Sequence, residues 1–357
     1  MELATPTRPS AASTWRRDLF GSPARTVATL ALAALAMMVA ARVLPWAIGR
    51  AVGRPDADAC RALDHAGACW GVVVEKFRAI IFGRYPYAQQ WRPAVGTAAL
   101  LMLAAISAWP RCWRRWLASA WVVALCGFVL LMRGSTALGW EIVPTSRWSG
   151  LPLSVLLSLL ALALALPLGV LLALGRRSEL PLLRALCRTY IELVRGVPLI
   201  SVLFMAAFLL PLLVPRGWQP DIFLRVLAGL TAFAAAYLAE VVRGGLQAVP
   251  PGQLDSARAL GLRRWQVQRF IVLPQALRAV LPSLMNSVIG TVKDSSLVTV
   301  VGLYELTGAL SLALGGDPIW RPFYLEGYLF ISFLYWAACF SLSRYSRWLE
   351  RRLRPPL

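Results

Sequence analysis

The sequence is poor in the side chains on which most catalysis and metal binding rely. It has one histidine, His65, which leaves histidine bases, proton relays and zinc clusters almost nothing to work with. Lysine occurs twice, at Lys76 and Lys293, preceded by Glu75 and Val292. A phosphate-cradling loop needs glycine, lysine and a hydroxyl residue in succession, so the chain has no P-loop of its own. No HExxH or GxSxG pattern occurs, which speaks against an intramembrane enzyme. Acids number 17 against 37 lysines and arginines. Of six cysteines, Cys112, Cys126, Cys187 and Cys339 are scattered without metal-type spacing, and only Cys60 and Cys69 lie close together. No catalytic residue, metal site or cofactor is expected in this chain.

Apolar residues are what the sequence has in quantity. At 58% hydrophobic and 15% charged, it is too apolar for an ordinary soluble domain. Several runs approach the ~20 residues that a bilayer-crossing helix requires, so the expected fold is an all-α integral membrane protein with about eight transmembrane helices. The net charge of +20 does not indicate nucleic acid, because the arginines cluster in short gaps between apolar runs.

Residues 1–24, rich in Pro, Ser, Thr and Arg, read as a disordered cytoplasmic tail. A first span over 26–41, extending toward 48, lacks a clear cleavage site and is read as uncleaved, with Arg42 snorkelling to an interface. Residues 50–92 form a long hydrophilic loop in which 72–82 is an amphipathic or re-entrant segment. Further spans are expected at 94–109, 116–132, 151–174, 197–214, 222–242, 279–301 and 323–342. With eight spans both termini share a side. Leaving Arg195 aside, that side carries twenty-two lysines and arginines, whereas the opposite short loops carry only Arg133, Arg147, Arg216 and Arg321 beside the long 50–92 loop. The termini, and the hydrophilic gap after 242, are therefore expected in the cytoplasm.

The chain is organised around that gap. Pro250, Pro251 and Gly252 break the incoming helix, and Gln253 to Leu260 has the composition of a short helix. Gly261 sits where a left-handed C-cap would end it, and a second helix can run from Arg263 to Pro274. Asp255-Ser256-Ala257, three residues, Gly261, nine residues, then Ile271-Val272-Leu273-Pro274 resembles the EAA loop of ABC importer permeases, with Asp-Ser-Ala in place of the family's Glu-Ala-Ala. Arg195-Gly196-Val197-Pro198-Leu199, Ala239-Glu240-Val241-Val242-Arg243-Gly244-Gly245 and Lys293-Asp294-Ser295-Ser296-Leu297 resemble the polar amino acid branch. The extension with FGRYPYAQQWRP resembles the larger membrane subunit of general L-amino acid importers.

The resemblance implies a type I ABC importer permease core over 149–347. It would carry a cytoplasmic coupling loop at 250–274, preceded by an extension over 25–148 with about three spans and a periplasmic loop at 50–92, and followed by a basic tail at 348–357. It implies a multi-pass subunit of a bacterial inner membrane and a second homologous membrane subunit. It also implies two copies of an ATPase that binds ATP and Mg, and a periplasmic amino acid-binding protein. The ATPase would seat on Leu254, Asp255, Ser256, Ala257, Arg258, Ala259, Leu260 and Gly261. Independently, Asn286, Lys293 and Asp294 are polar groups inside an apolar segment and either line a translocation path or form a structural ion pair. Glu240 pairs with Arg243 at helical spacing as a clamp, or contacts a substrate ammonium group. Cys60 and Cys69, in an oxidising compartment, are candidates for a disulfide, with free buried thiols as the alternative. A different functional class, an autonomous ion-coupled secondary transporter of small polar solutes, would use the same intramembrane charges as ion sites.

Overall fold

The computed structural model describes residues 18–62, 66–114, 116–215 and 219–353, and of Arg258 and Leu353 only the backbone. Every element among them is helical. The chain divides into a first unit ending at Glu75 and a second beginning at Lys76.

In the first unit, helix α1 (Pro23–Leu44) starts where Ser22 accepts the Arg25 N–H at 3.3 Å and Pro23 occupies a first-turn position that needs no donor. A π-turn over Pro45–Gly49 prolongs it. None of its residues is buried, and a helix that is apolar on every side suits a lipid surround. The helix begins inside the stretch read as a tail, because the Ser-Pro pair is a start signal in its own right; residues 1–17 lie outside the described residues.

The segment between α1 and α3 (Gly71–Phe82) folds back on the end of α1. The Trp70 indole N–H donates to the Ala47 carbonyl at 2.8 Å and the Val52 N–H to the Ala68 carbonyl at 2.9 Å. Gly67 and Gly71 make the approach feasible: a Cβ on either would stand 2.1 and 2.0 Å from the carbonyl oxygens of Arg50 and Arg54. Cys60, in α2 (Ala57–Ala62), and Cys69 have Cα atoms 5.4 Å apart and are joined by a disulfide, both almost fully buried. His65 lies outside the described residues. If the bond forms in the cell, alkylation of protein from intact cells should leave both cysteines unmodified until reductant is added. Labelling of both without reductant would refute the bond.

The second unit is built on α6 (Gly150–Arg176) and α9 (Ile222–Ala248), which pack along each other. Small residues allow it: Ala161, Ala165, Ala234, Ala235 and Ala239 are buried, and a Cβ on Gly169 would fall 2.9 Å from the Leu238 side chain. Close approach of small residues is how helices associate where lipid removes the hydrophobic drive. Pro167 is accommodated within α6.

α4 (Trp91–Ser107) and α5 (Trp116–Arg133) form a hairpin against the N-terminal end of α6. The FGRYPYAQQWRP stretch ties this hairpin down. The buried Arg92 guanidinium donates to the Leu131 carbonyl at 2.8 Å, the Glu141 carbonyl at 3.0 Å and the Gln89 side-chain oxygen at 2.6 Å. The Tyr85 hydroxyl donates to the Met132 carbonyl at 3.0 Å, and burial pushes its pKa up to about 12. These bonds occupy the last carbonyls of α5, which no helical N–H can reach.

The expected eight spans are not all continuous helices. Among the described residues, five helices are long and apolar enough to cross a bilayer: Pro23–Gly49, Trp116–Arg133, Gly150–Arg176, Ile222–Ala248 and Arg321–Arg352. A pair, α7 (Pro181–Arg195) and α8 (Leu199–Leu213), passes the same test only when taken together and is bent by 109° where Gly196 and Pro198 interrupt the turn. The span expected at 94–109 is the shorter α4, with Arg92 in its first turn. The span expected at 279–301 is α12 (Leu281–Asp294) followed by a tight 3-10 stretch, Ser295–Val301, ending at left-handed Gly302. The apolar pattern runs through that change of pitch and does not reveal it. The last two helices are α13 (Leu306–Gly315) and α14 (Tyr324–Leu353).

Candidate functional site

At the end of α9 the backbone turns extended at Val249, and α10 (Pro251–Ala259) begins with proline in its first turn. Gly261 closes it with φ +75°, and the Leu262 N–H returns to the Ala257 carbonyl at 3.3 Å. The next segment, 264–279 (α11), starts at extended Arg263, whose N–H is accepted by the Gln266 side chain at 2.8 Å. Pro274 does not end this segment as expected. A π-turn over Val267–Val272 precedes Leu273–Ala279, so the proline falls in a fresh first turn where its missing donor costs little. The break comes later, at Val280.

The two faces of α10 differ. Ala257 is buried with Val267, Val272, Ala276, Val242 and Leu246, and Leu254 packs against the same cluster. Asp255, Ser256, Ala259, Leu260 and Gly261 are exposed, and Arg258 belongs to the same helix. Leu260, Trp265 and Phe270 are large apolar side chains left 57% exposed or more. The element is thus anchored through Ala257 and Leu254 and presents Asp255, Ser256, Ala259 and Leu260 outward.

The same end of the unit holds Glu240. Its carboxylate accepts from Arg176 at 3.1 Å and from Arg243 at 2.8 Å, with Arg195 at 3.8 Å. Arg176 also reaches Glu192 at 3.3 Å, and Arg177 donates to the Leu246 carbonyl at 3.1 Å. Both Glu240 oxygens are therefore held by arginines from α6, α7 and α9. Arg264, in α11, pairs with Glu179 in the α6–α7 corner.

Lys293 lies elsewhere. It lines a cavity of about 300 Å³ with Ser296, Thr307, Tyr328, Ile331, Ser332 and Tyr335, and its side chain is exposed there. Asn286 is exposed two helical turns earlier on the same face of α12; Asp294 is half-buried and does not line the cavity. Neither Glu240 nor its arginine partners line this cavity.

Sequence reasoning missed Glu305, which is fully buried beside this cavity. One oxygen caps α13, accepting the Thr307 N–H at 2.8 Å and the Gly308 N–H at 3.4 Å, and also the Thr299 hydroxyl at 3.0 Å. The other accepts the Ser154 hydroxyl at 2.9 Å and the Tyr335 hydroxyl at 2.5 Å. A buried charge is tolerable only when so surrounded, and this one joins α6, the 3-10 stretch, α13 and α14. The available signal was a lone acid in the apolar run 297–314, directly before Thr307 and Gly308.

Residues 165–355 match the family described as "Binding-protein-dependent transport system inner membrane component". The chain is 42% identical over 366 aligned residues to the inner membrane amino-acid ABC transporter permease protein YhdY of Escherichia coli (strain K12), covering 98% of this chain and 96% of that protein. It is 35% identical to the glutamate/glutamine/aspartate/asparagine transport system permease protein BztC of Rhodobacter capsulatus, covering 95% and 93%. A solved structure titled "Crystal structure of an amino acid ABC transporter with histidines" matches at 31% identity and a TM-score of 0.51, over 57% of this chain and 92% of that one. Family match and whole-length similarity agree: the chain belongs to the binding-protein-dependent transport system inner membrane components, the permease subunits of ABC transporters.

Proposed function

We propose that the chain is the membrane-spanning permease subunit of an ATP-driven importer that moves amino acids from periplasm to cytoplasm. The observation that carries this reading is α10, anchored by buried Ala257 and exposing Asp255, Ser256 and Leu260 on the side where α6 and α9 end. Both relatives that align over nearly the whole chain are named amino acid permeases, which supports the substrate class. The ATPase is a separate chain in two copies and holds ATP and Mg. A second, homologous membrane subunit and a periplasmic binding protein complete the importer, and both termini of this chain are cytoplasmic. Residues 149–347 form the transport core, 250–274 its coupling loop, and 25–148 an extension whose loop at 50–92 faces the periplasm.

In this mechanism ATP closes the ATPase dimer and draws the coupling helices together. The arginine–Glu240 clamp ties the cytoplasmic ends of α6, α7 and α9 into one block, so motion of α10 is passed to the helices that border the path. The core then switches between two packings, opening outward to receive the amino acid and inward to release it. The chain itself makes and breaks no bonds.

The test is uptake into vesicles containing the assembled transporter. Uptake is expected only with internal ATP and external binding protein, and not with an ion gradient alone. Gradient-driven uptake without ATP would replace this reading with the secondary transporter.

A further inference from the structure

Arg184 and Arg188 of α7 make no contact with Glu240, whose arginine partners are Arg176, Arg195 and Arg243. The helix carries three distinct faces. Cys187 and Ile191 are buried against the unit, and Leu182, Leu186 and Leu193 form an outward stripe, each 60% exposed or more. Arg184 and Arg188, one turn apart, lie on a third face. They bound a cavity of about 360 Å³ with Arg176, Pro181 and Ala185.

The charge there is unbalanced. Among the described residues, Arg176, Arg188 and Arg195 share Glu192 and Glu240, Glu240 also serves Arg243, and Glu179 is taken by Arg264. Arg188 shares Glu192 at 2.9 Å, and among the described residues Arg184 has no acidic partner. The helix meets α8 at 109°, so when α8 crosses the bilayer α7 lies close to its plane. Leucines on one face and arginines on another, along a helix at that angle, are the pattern of an interfacial helix that favours anionic lipid.

We propose that the Arg176–Arg184–Arg188 cavity binds the phosphate headgroup of an anionic phospholipid, at the membrane interface into which the opposite Leu182–Leu186–Leu193 stripe seats α7. The headgroup supplies the missing negative charge, and the leucines hold α7 where such headgroups are concentrated. The inference rests on the family's membrane placement and not on the transported substrate. The bound lipid would fix α7 beside the Glu240 clamp, and through it the base of the coupling loop.

Native mass spectrometry of the full chain in detergent, titrated with phosphatidylglycerol or phosphatidylcholine, tests it. Phosphatidylglycerol should be retained about tenfold or more over phosphatidylcholine, since each basic side chain at a membrane surface favours an anionic lipid several-fold. The double variant Arg184→Gln/Arg188→Gln should lose that preference, and Arg184→Lys/Arg188→Lys should largely keep it. A control, Arg347→Gln/Arg351→Gln on α14, should bind as the native chain does. Equal retention of the two lipids, or undiminished phosphatidylglycerol binding in the glutamine variant, would overturn the proposal. So would displacement of the lipid by millimolar glycerol phosphate, which would mark a general phosphate site. A third contrary result is loss of a co-purifying protein subunit from the glutamine variant with lipid binding intact, which would mark the face as a protein interface.

Discussion

Replacing Gly261 with aspartate is expected to abolish ATP-driven uptake while leaving the chain inserted in the membrane at normal abundance. Gly261 has φ +75°, in the left-handed region that side chains rarely adopt, and a Cβ there would meet no neighbouring atom within 4 Å. The cost is therefore in the backbone and not in packing, about 1–2 kcal/mol for a left-handed residue with a side chain. Relief comes by rotating the corner. That moves α10 relative to Arg263 and the segment behind it, and tilts Asp255, Ser256 and Leu260 away from the surface they are proposed to meet. The helices that hold the chain in the membrane are untouched, so insertion and abundance should not change. Gly261→Asn gives a graded companion, because asparagine tolerates this conformation better, and it should retain part of the uptake. Native uptake by the aspartate variant at native abundance would sink the coupling role of this corner.

The Gly261 corner was legible in the sequence because one residue type meets one backbone requirement, and the helix before it has its own start signal at Pro250 and Pro251. Pro274 misled for the complementary reason. A proline is read as a stop, yet the π-turn before it restarts the helical hydrogen bonding and turns the stop into a beginning. Partners of charged groups divide in the same way. Glu240 and Arg243 are three residues apart and could be paired from spacing, whereas Arg176 and Arg195 reach Glu240 from other helices, and no local pattern announces them. Glu305 shows the limit most clearly. Its donors come from Ser154, Thr299, Thr307, Gly308 and Tyr335, scattered over four elements, and only folding brings them to one carboxylate. The apolar runs gave the membrane class correctly, but composition does not report pitch, so the 109° bend before α8 and the 3-10 stretch after α12 stayed hidden inside them.

The second large effect concerns Lys293. It is the only ammonium group among the residues lining the 300 Å³ cavity, surrounded by hydroxyls from Ser296, Thr307, Ser332, Tyr328 and Tyr335. All amino acids share a carboxylate, and an importer that accepts several side chains should grip that shared group and leave the rest in looser surroundings. Lys293 supplies the charge, the hydroxyls supply donors that suit an anion, and Asn286 lies on the same helix face further along. Glu240, the other group considered for the substrate, has both oxygens committed to arginines. Losing a charge-assisted hydrogen bond costs ~1.5–3 kcal/mol, roughly tenfold to a hundredfold in binding. Lys293→Met keeps the length of the stem and removes the charge, so it should depress uptake of acidic, neutral and basic amino acids together by that factor. ATP hydrolysis measured in parallel separates binding from coupling, because a coupling defect would show in both assays. Loss confined to acidic substrates would make Lys293 a reader of side chains. Unchanged uptake of every substrate, with hydrolysis still stimulated by the binding protein, would reduce Lys293 to a structural charge at the end of α12.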